Sequence, residues 1–181
     1  GKSEIMHLLN SLDSFFPTFV DILSKESELV YPALFILLNN STPEISLKCG
    51  ALLASLPEVG EKEEGRFVES MLNWAYKWLS LSTSNVHLEI VCMTLSLLVE
   101  KEQIVHQLHS LPITNSLLTR LIDISKLDVK TGYASQHTYL ILLTIWLICI
   151  DDKLVEQLVV QLNLFTFLVE LIKSCAKEKV Q

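Results

Sequence analysis

The chain has 181 residues, of which half are hydrophobic and 19% charged, with only five glycines and five prolines. That length suits one domain or one compact repeat array with a sizeable core; the apolar content excludes wholesale disorder, and so few turn-formers argue against a β sandwich or barrel. Fourteen Lys plus Arg against twenty-one Asp plus Glu give a net charge of −7, which disfavours nucleic acid as a partner, because affinity for a polyanion comes mostly from clustered cations.

The expected fold is therefore all-α. A faint first unit starts near Glu4-Ile5, and Ser41-Thr42-Pro43-Glu44 then marks a strong helix start: a hydroxyl suits free N–H groups, Pro tolerates the first turn, and Glu faces the positive dipole end. Pro57 ends that helix. The charged run from Glu58 to Gly65 is a linker, and its two glycines are flanked by Glu61, Glu63 and Glu64, which would repel phosphate. The next helix carries Val68, Met71, Leu72 and Ala75 on one face, and Trp74, Trp78 and Leu81 on another. A tryptophan pair at this spacing packs a core or anchors a partner.

Three helices follow: Val86 to Val99, Glu102 to Leu108, and Ile113 to Ile124, the last two separated by Leu111-Pro112. His106 and His109, with Glu102 one turn earlier, have the spacing of metal ligands but sit on a short surface helix, where a plain polar face is the preferred reading; no metal is assigned. From Thr131 to Ile150 no residue is charged. The truly apolar part, Tyr139 to Ile150, is twelve residues, or about 18 Å of helix against a hydrocarbon core of about 30 Å. This stretch therefore predicts a helix over Ser135 to Ile150 buried on all sides by protein, and no transmembrane segment. Asp152 to Leu162 and Leu164 to Cys175 complete the series, with Lys173, Lys177 and Lys179 suited to the negative end of a last helix.

The four cysteines, Cys49, Cys92, Cys149 and Cys175, all lie in apolar helical stretches without CxxC spacing. They read as reduced core thiols of a cytoplasmic or nuclear protein.

Shifting the chain by fifty residues lays His87 on His137, Thr94 on Thr144, Val105 on Val155, Gln107 on Gln157 and Ile122 on Ile172 without a gap. A shift of 45 or 46 lays Glu44-Ile45 on Glu89-Ile90 and Leu52-Leu53 on Leu97-Leu98. The expected organisation is one domain, residues 1–181, of about four units: 3–40, 41–86, 87–136 and 137–176.

This period, with a short helix among longer ones, resembles armadillo and HEAT-type α-solenoids. Ile145-Trp146-Leu147-Ile148 and Lys177-Glu178-Lys179-Val180 also resemble the wording of the helical-repeat regulatory subunit of the vacuolar proton pump, a match of about forty residues from which no identity is assigned. The armadillo resemblance implies a right-handed α-α superhelix whose concave surface grips an extended segment of another protein. Peptide-gripping members carry Trp followed four residues later by Asn; here Trp146 is followed by Ile150, and Ser96 by Glu100, which puts a nuclear-import type of groove in doubt.

No nucleophile elbow, HExxH or phosphate loop occurs, so an enzyme and a cofactor are not expected. The expected function is a non-enzymatic scaffold that binds a partner helix or peptide as part of a larger protein or complex. The rivals are a fixed-interface assembly subunit of a membrane-associated machine and an apolar-ligand domain. Candidate contacts are His87, Glu89, Tyr133, Gln136, His137 and Tyr139 near the starts of the long helices, with Trp74 and Trp78. An uncovered apolar end would invite homodimerisation or docking of further repeats.

Overall fold

In the computed structural model, the residues described are Ser3, 27–56, 64–82, 84–130 and 136–178. Nine α-helices and no strand occur among them: α1 (Ser27–Asn40), α2 (Pro43–Ser55), α3 (Glu64–Leu81), α4 (Asn85–Val99), α5 (Glu102–Leu108), α6 (Ile113–Lys130), α7 (Gln136–Ile148), α8 (Asp152–Glu156) and α9 (Leu164–Glu178). The expected helix over Asp152 to Leu162 is α-helical only through Glu156 and continues as a π-helical turn, Gln157–Gln161. No single described helix is long and apolar enough to cross a membrane, although the Asp152–Gln161 and Leu164–Ser174 segments together would pass on length and composition, with a 70° bend between them.

That bend is made at Asn163, whose φ of 51° lies in the left-handed region that Asn tolerates better than most residues. Asn163→Val should therefore cost about 1–2 kcal/mol, read as a lowered urea midpoint, whereas Asn163→Gly should cost almost nothing. Equal losses in both variants would rule out the backbone explanation.

The helices pack in two rows. In one, α4 lies between α2 and α7; in the other, α6 lies between α3 and α9. The rows touch where α3 meets α4 and α6 meets α7, and α1 closes the start of the first row by lying on α2. The core runs between the rows, with Leu53, Leu79, Val91, Leu98, Ile141 and Leu158 among its driest residues. At its N-terminal end the Phe67 ring is met edge-on by Tyr31 at 5.8 Å and Phe35 at 5.6 Å, a favoured aromatic geometry.

Helices fifty residues apart are thus neighbours, α4 with α7 and α6 with α9, and details recur between them. Thr94 and Thr144 are both buried, and each donates its hydroxyl to the carbonyl four residues back, to Ile90 and Leu140, both at 2.8 Å. The intrahelical bond lets a hydroxyl enter the core without an unpaired donor.

Polar side chains also reach back to helix ends of the preceding elements. Lys101 Nζ donates to the carbonyls of Ala54, at 2.9 Å, and Leu56 at the end of α2; Arg120 Nε donates to Leu79 O near the end of α3 at 3.0 Å. Both cations meet carbonyls that have no intrahelical partner and the negative end of a helix dipole. Burial lowers the Lys101 amine to about 8, against a smaller opposing effect of Glu100.

Three expectations need correction. The α7 helix is not buried on all sides: Tyr139, Trp146 and Ile150 are exposed, because α7 has a row neighbour, α4, on one side only among the described residues. Cys49 and Cys92 are buried free thiols, but Cys149 is exposed at the end of α7; the Cys175 side chain lies outside the described residues. The start of α2 is as expected, with extended Thr42 before it and Pro at its first turn, but Thr42 makes no side-chain capping bond. Ser41 donates instead to Leu37 O of α1.

Candidate partner-binding surface

The tryptophan pair is organised by one hydroxyl. Ser46 Oγ, on α2, donates to Leu38 O of α1 at 2.7 Å and accepts from Trp74 Nε1 at 3.0 Å and Trp78 Nε1 at 3.4 Å. One donor and two lone pairs are all used. Trp74 is buried and Trp78 half-buried, so Trp74 is mainly a core side chain, although its ring also lines the groove beside the pair. Beside them runs a groove of about 430 Å³, lined among others by Asn39, Asn73, Lys77, Trp78 and Leu81.

The two histidines matched by the fifty-residue shift keep their place but change their chemistry. His87 meets the Trp78 ring edge-on at 5.6 Å. His137 instead lies with Nε2 3.6 Å from Asp128 Oδ1, and Asp128 is the residue fifty positions after Trp78. Thr138 donates to the other Asp128 oxygen at 2.5 Å. His137 is buried, so its candidacy as a surface contact is corrected to a packed polar residue between α6 and α7. Glu89 is half-buried, Gln136 and Tyr139 are exposed on α7, and Tyr133 lies outside the described residues. The structure therefore joins Trp74 and Trp78 through Ser46 and sets His87 against Trp78, and it leaves Gln136 and Tyr139 exposed on α7.

A second polar centre was not foreseen from the sequence. Asp151, buried, caps α8: its Oδ1 accepts from the backbone N–H groups of Lys153 at 3.0 Å and Leu154 at 3.1 Å. Its Oδ2 accepts from His106 Nδ1 at 3.1 Å and lies 3.4 Å from His109 Nδ1, a long contact outside good hydrogen-bond geometry. Lys153 Nζ donates to His109 Nε2 at 3.3 Å. Burial pushes the Asp151 carboxyl up, but the bonds from His106 and from the Leu154 and Lys153 N–H groups, with the nearby His109, outweigh it and hold the group below its ordinary value. His106 is raised, chiefly by its bond to Asp151 and then by Glu102, whose Oε1 is 3.5 Å from Nε2. The sequence signal was present: Asp151 falls fifty residues after Lys101, and both side chains reach back to earlier helices.

The buried thiols have no reactive character, since burial pushes Cys49 up to about 11 and, with Glu89 adding to it, Cys92 up to about 12. No group of three or more His, Cys, Asp or Glu suited to a metal ion occurs among the described residues.

What this surface offers is contact area: half-buried aromatic rings along a shallow groove and apolar helix faces. Among the described residues these features belong to an all-helical protein. A model of the V-ATPase H-subunit family, for the N-terminal domain, matches residues 4–181, and the chain belongs to that family. The resemblance carried by residues 145–180 thus extends over nearly the whole chain. No curated protein and no solved structure matched the chain.

Proposed function

We propose that this chain is a non-catalytic assembly or regulatory subunit of a vacuolar-type proton pump, holding partner subunits through a fixed helical interface. The observation that carries this reading is the family match over residues 4–181. The exposed apolar residues of α7 and α9 agree with a chain that is completed by protein contacts. The narrower peptide-gripping scaffold is the second reading, supported by the Trp78 and His87 rings beside the groove.

In this proposal the two rows belong to a right-handed superhelix of about four armadillo or HEAT-like units, 3–40, 41–86, 87–136 and 137–176, within one domain. The side-by-side packing of helices fifty residues apart supports it. A cytoplasmic location is proposed with it, in keeping with the free thiols Cys49, Cys92 and Cys149.

The test is affinity purification of the tagged chain from its own cells. Pump subunits should co-purify in near-equal amount, and depleting the chain should change ATP hydrolysis by the pump while the chain alone hydrolyses none. Absence of every pump subunit from the purified material would overturn the reading.

A further inference from the structure

The ring of His109, which follows α5, lies between opposite charges. Its Nδ1 faces Asp151 Oδ2 at 3.4 Å, and its Nε2 faces Lys153 Nζ at 3.3 Å. An ammonium has three donors and no lone pair, so the bond to Lys153 exists only while Nε2 is unprotonated and accepts. A lone pair on Nδ1 would be aimed at the Asp151 carboxylate, so the proton of the neutral ring sits on Nδ1. Both neighbours thus select the same neutral tautomer. His106, one turn earlier, has the opposite surroundings: Asp151 Oδ2 lies 3.1 Å from its Nδ1 and Glu102 Oε1 lies 3.5 Å from its Nε2. Two carboxylates favour its charged form. With His106 charged and His109 neutral, the positive charges of His106 and Lys153 balance the negative charges of Glu102 and Asp151.

The neutral arrangement is not fully satisfied. His109 Nδ1 is buried and has no hydrogen-bond partner of good geometry, since 3.4 Å is long for an N–H donor. A second proton on the ring, at Nε2, changes the two contacts in opposite senses. Nδ1 and Asp151 become an ion pair, the stronger kind of hydrogen bond. Nε2 turns from acceptor to donor and faces Lys153 as a like charge, so the bond between them is lost. No other group takes part: α3 and α4 also pack on α5, but neither bonds to nor pairs with the His109 side chain among the described residues. Beside Lys153 lies a hollow of about 350 Å³ lined by His109, Lys153, Glu156, Gln157, Val160 and Gln161. Glu156 supplies the carboxylate on its wall.

We propose that His109 is a proton-operated switch of partners: neutral, it holds Lys153 against the end of α5; protonated, it closes on Asp151 and releases the Lys153 ammonium into the hollow. The proton enters at Nε2, and no bond between heavy atoms forms or breaks. What changes is the surface. The wall of the hollow goes from a neutral ring with a tethered ammonium to an imidazolium with a free one, and the tie between the end of α5 and α8 passes from Lys153 to Asp151.

The test is NMR of the full chain with ¹⁵N-labelled histidine and lysine side chains, followed from about pH 8 to about pH 5, the range in which imidazoles change charge. At the upper end neutral His109 should be the Nδ1–H tautomer. The Lys153 Nζ resonance should then move at the His109 midpoint and not at the His106 midpoint. Lys153→Met removes a cation at an exposed position. It should let His109 hold its proton to higher pH by at least about half a unit, the effect of one charge at this distance in a solvated setting. A neutral His109 with its proton on Nε2 would overturn the proposal. So would a Lys153 resonance that ignores the His109 titration, or an unmoved midpoint in a Lys153→Met chain with the circular dichroism of the wild type. The tautomer is read in the wild-type chain, so no variant has to fold for the proposal to fail.

Discussion

Gly50→Ala is expected to destabilise the protein by about 1–3 kcal/mol, although alanine is intrinsically favoured over glycine inside a helix by roughly 0.5–1 kcal/mol. The sign is set by Trp74. A Cβ on Gly50 would lie 2.5 Å from Trp74 Cη2 and 3.0 Å from Cε2, with Cζ2 also in collision. The ring has little freedom to give way, because its Nε1 is bonded to Ser46, one turn earlier on the helix that carries Gly50. Tilting the indole away would leave a buried N–H unpaired, at about 1–3 kcal/mol. Phenylalanine at position 74 lacks the outer ring that collides, so Gly50→Ala should cost markedly less in a Trp74→Phe background. Urea unfolding of the two single variants and the double variant measures that coupling. A wild-type background in which Gly50→Ala raises the midpoint would show that the helix yields and the close approach is not what requires glycine.

The same contact marks how far the sequence could be read. The Trp74 and Trp78 stripe was legible because i, i+4 spacing places both on one helical face whatever they touch. That Trp74 would be core depended on Gly50 and Ser46, some 24 and 28 residues earlier, and nothing local to α3 points to them. The long helices were legible for the same reason of periodicity, and the residue matches fifty apart pointed to the two helices, α4 and α7, that the structure puts in contact. Burial of a given face was less so. An apolar run such as Leu140 to Ile150 has the same composition whether covered on one side or two, and only the packing shows that Trp146 and Ile150 are uncovered. Polar sites formed between elements far apart in sequence were hidden for a related reason. His106 and His109 read as an ordinary surface pair because Asp151, which brings them together, is 45 and 42 residues away. The family itself was legible over only about forty residues, because leucine-rich helices differ little from one array to another, and the match over residues 4–181 needs weak similarity summed along the chain.

Asp151→Ala is the other change with a large expected effect, about 2.5–4 kcal/mol, combining loss of a helix N-cap, about 1 kcal/mol, with loss of a charge-assisted bond, about 1.5–3 kcal/mol. Asp151→Asn separates the two, since its carbonyl oxygen still accepts from the Lys153 and Leu154 N–H groups while the charge facing His106 and His109 is gone; it should cost about half as much. The joint also has a pH signature. The native Asp151 carboxyl lies below its ordinary 3.8, so its contribution is present above that value and disappears as pH falls through the native value. Native His106 lies above its ordinary 6.5, so its contribution is complete below 6.5 and disappears as pH rises through the raised value. Both are fully present only between about pH 4 and 6.5. Chemical denaturation across that range and up to pH 9 should show the stability difference between the wild type and His106→Gln shrinking on the alkaline side. A difference that grows with pH would mean that His106 enters the fold neutral. In that case His106 would meet the Asp151 carboxylate as a neutral donor, and the contact between α5 and α8 would be a hydrogen bond without an ion pair.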